Sequence, residues 1–87
     1  IEALHRSANL YEKSKQFEDA IKQHMTVNSR YPKTDGSLKS LNKCADIYDK
    51  KVDNKEKAIE ILNMLITDFP DSRDAKKAQR RIKKLSK

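Results

Sequence analysis

The sequence predicts an all-α protein in which short helices stack into a repeat array. A pattern of a tyrosine, an alanine and a proline occurs twice, with a period of 37 to 38 residues: Tyr11, Ala20 and Pro32 recur as Tyr48, Ala58 and Pro70. A period of this size is typical of helical repeats. The composition agrees, because the chain of 87 residues has one glycine and two prolines, too few turn residues for an all-β fold.

Two helices are predicted before Pro32. The first ends near Lys13, and its apolar residues recur at steps of three and four, as on one face of a helix: Ile1, Leu4, Ala8 and Tyr11. The second ends near Tyr31, since proline disfavours helical geometry in the residue before it. Its buried face is expected to consist of Phe17, Ala20, Ile21, Met25 and Asn28.

Two more helices are predicted between Pro32 and Pro70. Thr34 or Asp35 is expected to cap the third helix, which ends near Lys51. The apolar face of the third helix is Leu38, Leu41, Cys44, Ala45 and Tyr48. Asp53 and Glu56 resemble a capping box for the fourth helix. The apolar face of the fourth helix is Ala58, Ile61, Leu62, Leu65, Ile66 and Phe69.

A fifth helix is predicted after Pro70, with Asp71 or Ser72 as its cap and Asp74 suited to the positive end of the helix dipole. Its apolar stripe is narrow, and the opposite face is lysine and arginine: the stripe is Ala75, Ala78, Ile82 and Leu85. One apolar and one charged face are expected of a terminal capping helix. The alternative, a three-helix bundle with long helices, conflicts with the two prolines and the repeat.

A single domain is therefore expected over residues 1–87. Repeat one covers residues 1–34, repeat two covers 35–70, and the capping helix covers 71–87. Because helical periodicity is already present at Ile1, which is not a methionine, we interpret the chain as a fragment of a longer protein. The sequence has no signal peptide or membrane span. Any membrane attachment would depend on an anchor in a missing part.

The spacing of Ala8, Tyr11, Ala20 and Pro32 resembles the tetratricopeptide repeat. The second copy has one extra residue between Tyr48 and Ala58, which we place in the turn. The linker from Pro32 to Tyr48 is three residues longer than the usual repeat allows, and this longer form looks like bacterial cell-envelope members, which include barrel-assembly lipoproteins and the Tol–Pal coordinator. The ending Phe69-Pro70-Asp71-Ser72, with Ala75, Ala78-Gln79, Arg81-Ile82 and Leu85, is similar to the C-terminal end of the Tol–Pal coordinator. The resemblance implies a non-enzymatic scaffold for protein–protein interaction in a periplasmic or outer-membrane-associated complex. A cytoplasmic location stays open.

The same resemblance implies a concave face that binds a peptide or another subunit. The candidate site residues on this face are His5, Asn9, Asn42, Lys43, Asp46, Lys77, Arg80 and Arg81. Five residues correspond to the positions that clamp a terminal carboxylate in chaperone-binding members: His5, Asn9, Lys43, Lys77 and Arg81. Two of them differ from the residues of that clamp, since His5 replaces a lysine and Lys43 replaces an asparagine. The alternative is that each is an ordinary solvated surface residue.

The sequence shows no catalytic constellation, metal site, small-molecule site or cofactor motif. His5 and His24 are interpreted as surface polar residues, and Cys44 as a core residue. Residues 71–87 hold eight basic and two acidic side chains, whereas residues 1–70 hold twelve and eleven. A nucleic-acid-binding accessory domain is therefore one alternative function, but no aromatic residue lies in 71–87 to stack on bases. A purely structural solenoid segment is another.

Overall fold

The computed structural model describes residues 2–86, and it contains five helical segments with no strand among them. The helices are α1 (Glu2–Lys13), α2 (Phe17–Arg30), α3 (Asp35–Asp46), α4 (Lys55–Asp68) and α5 (Arg73–Leu85). A short π-helical turn, Ile47–Lys51, continues α3 without a break. The predicted fold class, a tetratricopeptide-like array of two helix pairs and a capping helix, is confirmed. Ile1, expected on the first helix, lies outside the described residues.

The connection between α2 and α3 has the same structure as the connection between α4 and α5. Tyr31 and Phe69, the residues before the prolines, have nearly identical backbone angles, with φ of −131° and −132°. Thr34 accepts a hydrogen bond from the backbone N–H of Ser37, and Ser72 accepts one from that of Ala75. The repeat that the sequence predicts is therefore also a structural repeat. Of the two candidate caps for each helix, Thr34 caps α3 and Ser72 caps α5.

The turn inside the second helix pair departs from the prediction. Asn54 caps α4 by accepting a hydrogen bond from the backbone N–H of Lys57, so the proposed capping box of Asp53 and Glu56 is wrong. Asp53 instead adopts a left-handed conformation with φ of 56°, as Lys15 does in the first pair with φ of 62°. The two residues occupy equivalent places, two residues before the next helix begins.

The extra residue of the second repeat is in the π-helical turn. From Lys15 to Ala20 and from Asp53 to Ala58 the chain has the same length, so the insertion precedes Asp53. A π-helical turn bonds residue i to i+5 and thereby holds one more residue than an α-turn. The insertion is thus absorbed at the end of the helix, in Ile47–Lys51, and not in the turn proper.

The core lies between consecutive helices, each of which packs against the next along the chain. Seven residues of the predicted apolar faces, one or two from each helix, are expected to be mostly buried, and five of them are fully buried: Ala20, Leu41, Ala45, Ala58 and Leu62. Tyr11 and Ile82, the other two, are half-buried and pack against the edge of the core. Cys44 is buried as expected, and burial raises the pKa of its thiol to about 12.

We expect α1 to associate with another apolar surface, because Leu10 on this first helix is 65% exposed. A repeat helix needs either polar residues or a partner on the face that its neighbours leave uncovered. Sedimentation of the 87-residue chain over a range of concentrations should therefore show self-association. Leu10→Lys should reduce it, whereas Val52→Lys, a change at an exposed apolar residue away from α1, should not. A wild-type chain that stays monomeric at all concentrations would contradict this expectation.

Candidate functional site

Three helices, α1, α3 and α5, are linked side by side by polar side chains. Nε2 of His5 on α1 lies 3.1 Å from Oγ of the buried Ser40 on α3. Nδ2 of Asn42 on α3 donates to Oδ1 of Asp74 on α5 at 3.2 Å. These odd-numbered helices thus form one layer, and we call its outer surface the α1–α3–α5 face. It carries the residues that the sequence analysis assigned to a concave binding face.

Arg81 joins α5 to α3 through two carboxylates. Its guanidinium lies 2.9 Å from Oδ1 of Asp46 and 3.3 Å from Oδ2 of Asp49. Asp46 and Asp49 are three residues apart, a spacing that places both on the same side of the chain. Two predicted site residues, Arg81 and Asp46, therefore pair with each other. A carboxylate from a partner would have to compete with two carboxylates of this chain for Arg81.

The remaining predicted residues of α5, Lys77 and Arg80, are exposed to solvent. They belong to a basic surface on the side of α5 opposite its buried alanines, Ala75 and Ala78. The exposed basic residues of α5 are Arg73, Lys76, Lys77, Arg80, Lys83 and Lys84. Lys77 and Arg81 do not line the cleft in which His5, Asn9 and Lys43 meet. The five positions of the predicted clamp therefore do not form one site.

His5, Asn9 and Lys43 do come together, in a cleft of about 170 Å³ at the junction of α1, α2 and α3. Two residues that the sequence analysis did not assign to a site complete its lining, Lys39 on α3 and His24 on α2. We call this cavity the His24 cleft. It is large enough for about five water molecules at ~30 Å³ each.

His24 is buried, with only 2% of its surface exposed, so its interpretation as a surface residue is wrong. Neither ring nitrogen has a hydrogen-bond partner among the described residues. The ring centroid of His5 lies 6.0 Å away. A helical signal for burial was present, because His24 follows Ala20 by four residues and precedes Val27 by three. Both of those neighbours are fully buried.

The electrostatics of the His24 cleft favour negative charge. Burial, followed by the nearby charges of His5 and Lys43, lowers the pKa of His24 from 6.5 to about 4. Two lysines, two histidines and one asparagine line the cleft, and no carboxylate is among these lining residues. An anion in the cleft would meet cationic side chains and a buried donor that otherwise lacks a partner.

A larger, more open groove of about 570 Å³ lies elsewhere, between α2, the π-helical turn and α4. Its apolar lining consists of Met25, Tyr48, Ile61 and Met64. All four belong to the core cluster or pack against it. We favour the smaller His24 cleft as the candidate site, because it contains a buried polar group whose hydrogen bonds are not made within the described residues.

Other chemistry has no support in the described residues. Within residues 2–86, no group of three or more histidine, cysteine, aspartate or glutamate side chains could hold a metal ion. In the same part of the chain, no helix has the length and apolar character needed to cross a membrane.

Helix pairs stacked in two layers define a helical repeat protein, a class that binds partners on extended surfaces. Residues 37–72 match the family model for the tetratricopeptide repeat. The match covers 36 of the 87 residues and spans most of α3, the π-helical turn, α4 and the cap of α5. Tetratricopeptide repeats generally mediate protein–protein interaction. Comparisons with curated proteins and with solved structures found no match to the chain.

Proposed function

We propose that this chain is a non-enzymatic interaction module that binds a peptide or a subunit of a larger complex on its α1–α3–α5 face. One observation supports this face above the others. Two helices of this face, α1 and α3, contribute four of the five lining residues of the His24 cleft, where the buried imidazole of α2 lacks a hydrogen-bond partner among the described residues. Leaving such a group unsatisfied is costly, and polar groups of this kind are found where a ligand can satisfy them.

The proposal includes a bacterial cell-envelope complex as the setting, with a periplasmic or outer-membrane-associated location. Its support is the similarity of the segment Phe69-Pro70-Asp71-Ser72 to envelope members of the family. Fractionation of cells that produce the full-length protein would test the location. Recovery of the protein from the cytoplasm alone would contradict this part of the proposal and leave the binding face untouched.

The binding face can be tested once a partner has been captured by crosslinking from cells that produce the full-length protein. Asn9→Ala, in the His24 cleft, should weaken binding of that partner about tenfold or more, as expected when a buried polar contact worth ~1.4 kcal/mol is lost. Asn42→Ala and Arg81→Ala should also weaken it, because they loosen the contact of α5 with α3.

Asn63→Ala is the matched control, since Asn63 is an exposed asparagine on α4 and lines the other groove. Isothermal titration with each variant measures the affinities. A partner that is indifferent to Asn9, Asn42 and Arg81 would place the site away from the α1–α3–α5 face.

The second candidate function is nucleic-acid binding through the exposed basic residues of α5. The observation in its favour is their number, because six lysine and arginine side chains are exposed on one helix. Such binding would fall steeply with salt, as counterions are released from neutralised phosphates. We expect no significant binding of DNA or RNA at ~150 mM salt, where the screening length is about 8 Å. Micromolar binding of random duplexes or single strands at that salt, measured by fluorescence anisotropy, would overturn the scaffold proposal.

A further inference from the structure

We infer that the His24 cleft is a binding site for a single oxyanion group, with His24 as the hydrogen-bond donor on its floor and Lys39 and Lys43 as the cations that attract the group. The inference rests on the proposed function in one respect, the source of the oxyanion, which would be a carboxylate of a protein partner. A free inorganic phosphate offers the same oxygen chemistry, so the test includes both.

The first argument is the unmade hydrogen bonds of His24. Only 2% of the surface of His24 is exposed, and its side chain lines the cleft. The neutral imidazole has one N–H donor and one acceptor nitrogen, whereas the protonated ring has two donors. An oxyanion accepts hydrogen bonds from either form. It therefore satisfies a donor that has no partner among the described residues.

The second argument is the charge that α1 and α3 place around His24; the π-helical turn also contacts α2 but contributes no residue to the lining of the cleft. His5 faces it from α1, and Lys43 and Lys39 face the cleft from α3. His24 itself is the group that α2 contributes to the lining. No carboxylate is among the lining residues, and Asp35 and Asp74 line the neighbouring groove with His5 and Lys39. Opposite charges attract each other across the cleft, and the attraction is screened least by water at the buried ring of His24.

The third argument is that His5 is already engaged. Its Nε2 atom is 3.1 Å from the hydroxyl of Ser40, which is fully buried. This contact holds the His5 ring at the wall of the cleft and leaves His24 as the ring with free capacity. Asn9 supplies one amide to the lining, and an amide can donate to a second oxygen of the same group.

Binding in the cleft should be linked to proton uptake by His24. An anion beside an imidazole favours its charged form, opposite in sign to the effect of His5 and Lys43. The affinity for an oxyanion should therefore rise as the pH falls from 7 to 5. Chloride, which lacks the geometry of an oxyanion, should not reproduce this effect at equal ionic strength.

The test is an NMR titration of the full chain, which follows the ring resonances of His24 and His5. Acetate and inorganic phosphate are added separately, with sodium chloride at matched ionic strength as the reference. Either oxyanion should shift the His24 resonances saturably and raise the measured pKa of His24 by one unit or more. Saturation with acetate indicates a carboxylate ligand, and saturation with phosphate alone indicates a phosphate ligand.

Lys43→Gln and Lys39→Gln should each weaken the binding of the oxyanion several-fold. Lys22→Gln removes the same charge from an exposed position on α2 outside the cleft and should have no effect. The inference would be overturned if the oxyanions caused no saturable shift of the His24 resonances, or if chloride caused the same shift. It would also be overturned if Lys22→Gln weakened the binding of the oxyanion as much as Lys43→Gln and Lys39→Gln do. Because no partner protein is used, this result is independent of whether the proposed binding face is correct.

Discussion

Replacing Ala58 with leucine should lower the melting temperature of the chain by roughly 5 to 20 °C. Ala58 is fully buried in the first turn of α4, which packs against α3 and the π-helical turn. Adding atoms to such a position typically costs 1–3 kcal/mol, because neighbouring side chains or helices must move. In a domain of this size, each 1 kcal/mol shifts the melting temperature by about 4–8 °C.

Ala3→Leu provides the matched control, since Ala3 is an exposed alanine on α1. The melting temperature of this variant, measured by circular dichroism, should be close to that of the wild type. Ala20→Leu should behave like Ala58→Leu, because Ala20 occupies the equivalent place in the first repeat and is also fully buried. A melt of Ala58→Leu that coincides with the wild type would contradict the packing of the second helix pair.

Replacing His24 with leucine should raise the free energy of unfolding at pH 7 by roughly 1–3 kcal/mol. The change removes a buried polar group that lacks partners among the described residues and substitutes an apolar side chain of similar volume. Urea unfolding of both proteins in a buffer without phosphate or carboxylate measures the difference. A destabilised variant would show that the imidazole makes favourable interactions in the native state.

The difference in the free energy of unfolding between the wild type and His24→Leu should depend on pH, and the sign of this dependence follows from the pKa of His24. The pKa of His24 is about 4 in the folded chain and near 6.5 when unfolded, so at pH 7 the ring is neutral in both states. Between pH 6.5 and 4 the unfolded chain takes up a proton that the folded chain does not. The wild type should therefore lose stability over this range, and the loss is complete below about pH 4.

The size of that loss follows from the pKa difference, since one unit corresponds to about 1.4 kcal/mol. Access of solvent through the cleft reduces the effect, so we expect roughly 1–3 kcal/mol. His24→Leu should remove this part of the acid sensitivity and retain the part due to carboxylates. If the two proteins lose stability in parallel from pH 7 to pH 4, the lowered pKa of His24 is contradicted.

Much of the fold could be predicted from the sequence because its signals are local. Pro32 and Pro70 act on the residue that precedes each of them, and Thr34 and Ser72 bond to backbone three residues ahead. The spacing of apolar residues likewise depends only on the period of a helix. These local rules predicted all five helices, and the predicted ends of the first four lie within one or two residues of those observed when the π-helical turn is counted with α3.

The sequence was less informative where one residue changed the local geometry. The spacing from Tyr48 to Ala58 showed that a residue had been inserted, but a longer turn and a π-helical turn fit the same spacing. In both helix pairs the residue after the left-handed one is the N-cap of the next helix, so the cap of α4 is Asn54 and not Asp53. The choice between a longer turn and a π-helical turn depends on how Ile47, which is fully buried, packs against its surroundings.

By itself, the sequence determined a tetratricopeptide-like array of five helices and most of their buried apolar residues, because periodicity, caps and prolines act over a few residues. Only the tertiary structure decided which polar side chains meet. Arg81 pairs with Asp46 and Asp49 across 32 to 35 positions of chain, and His24 is enclosed between α1 and α3. Such contacts depend on how whole helices are oriented and spaced, and one sequence holds no local signal for them.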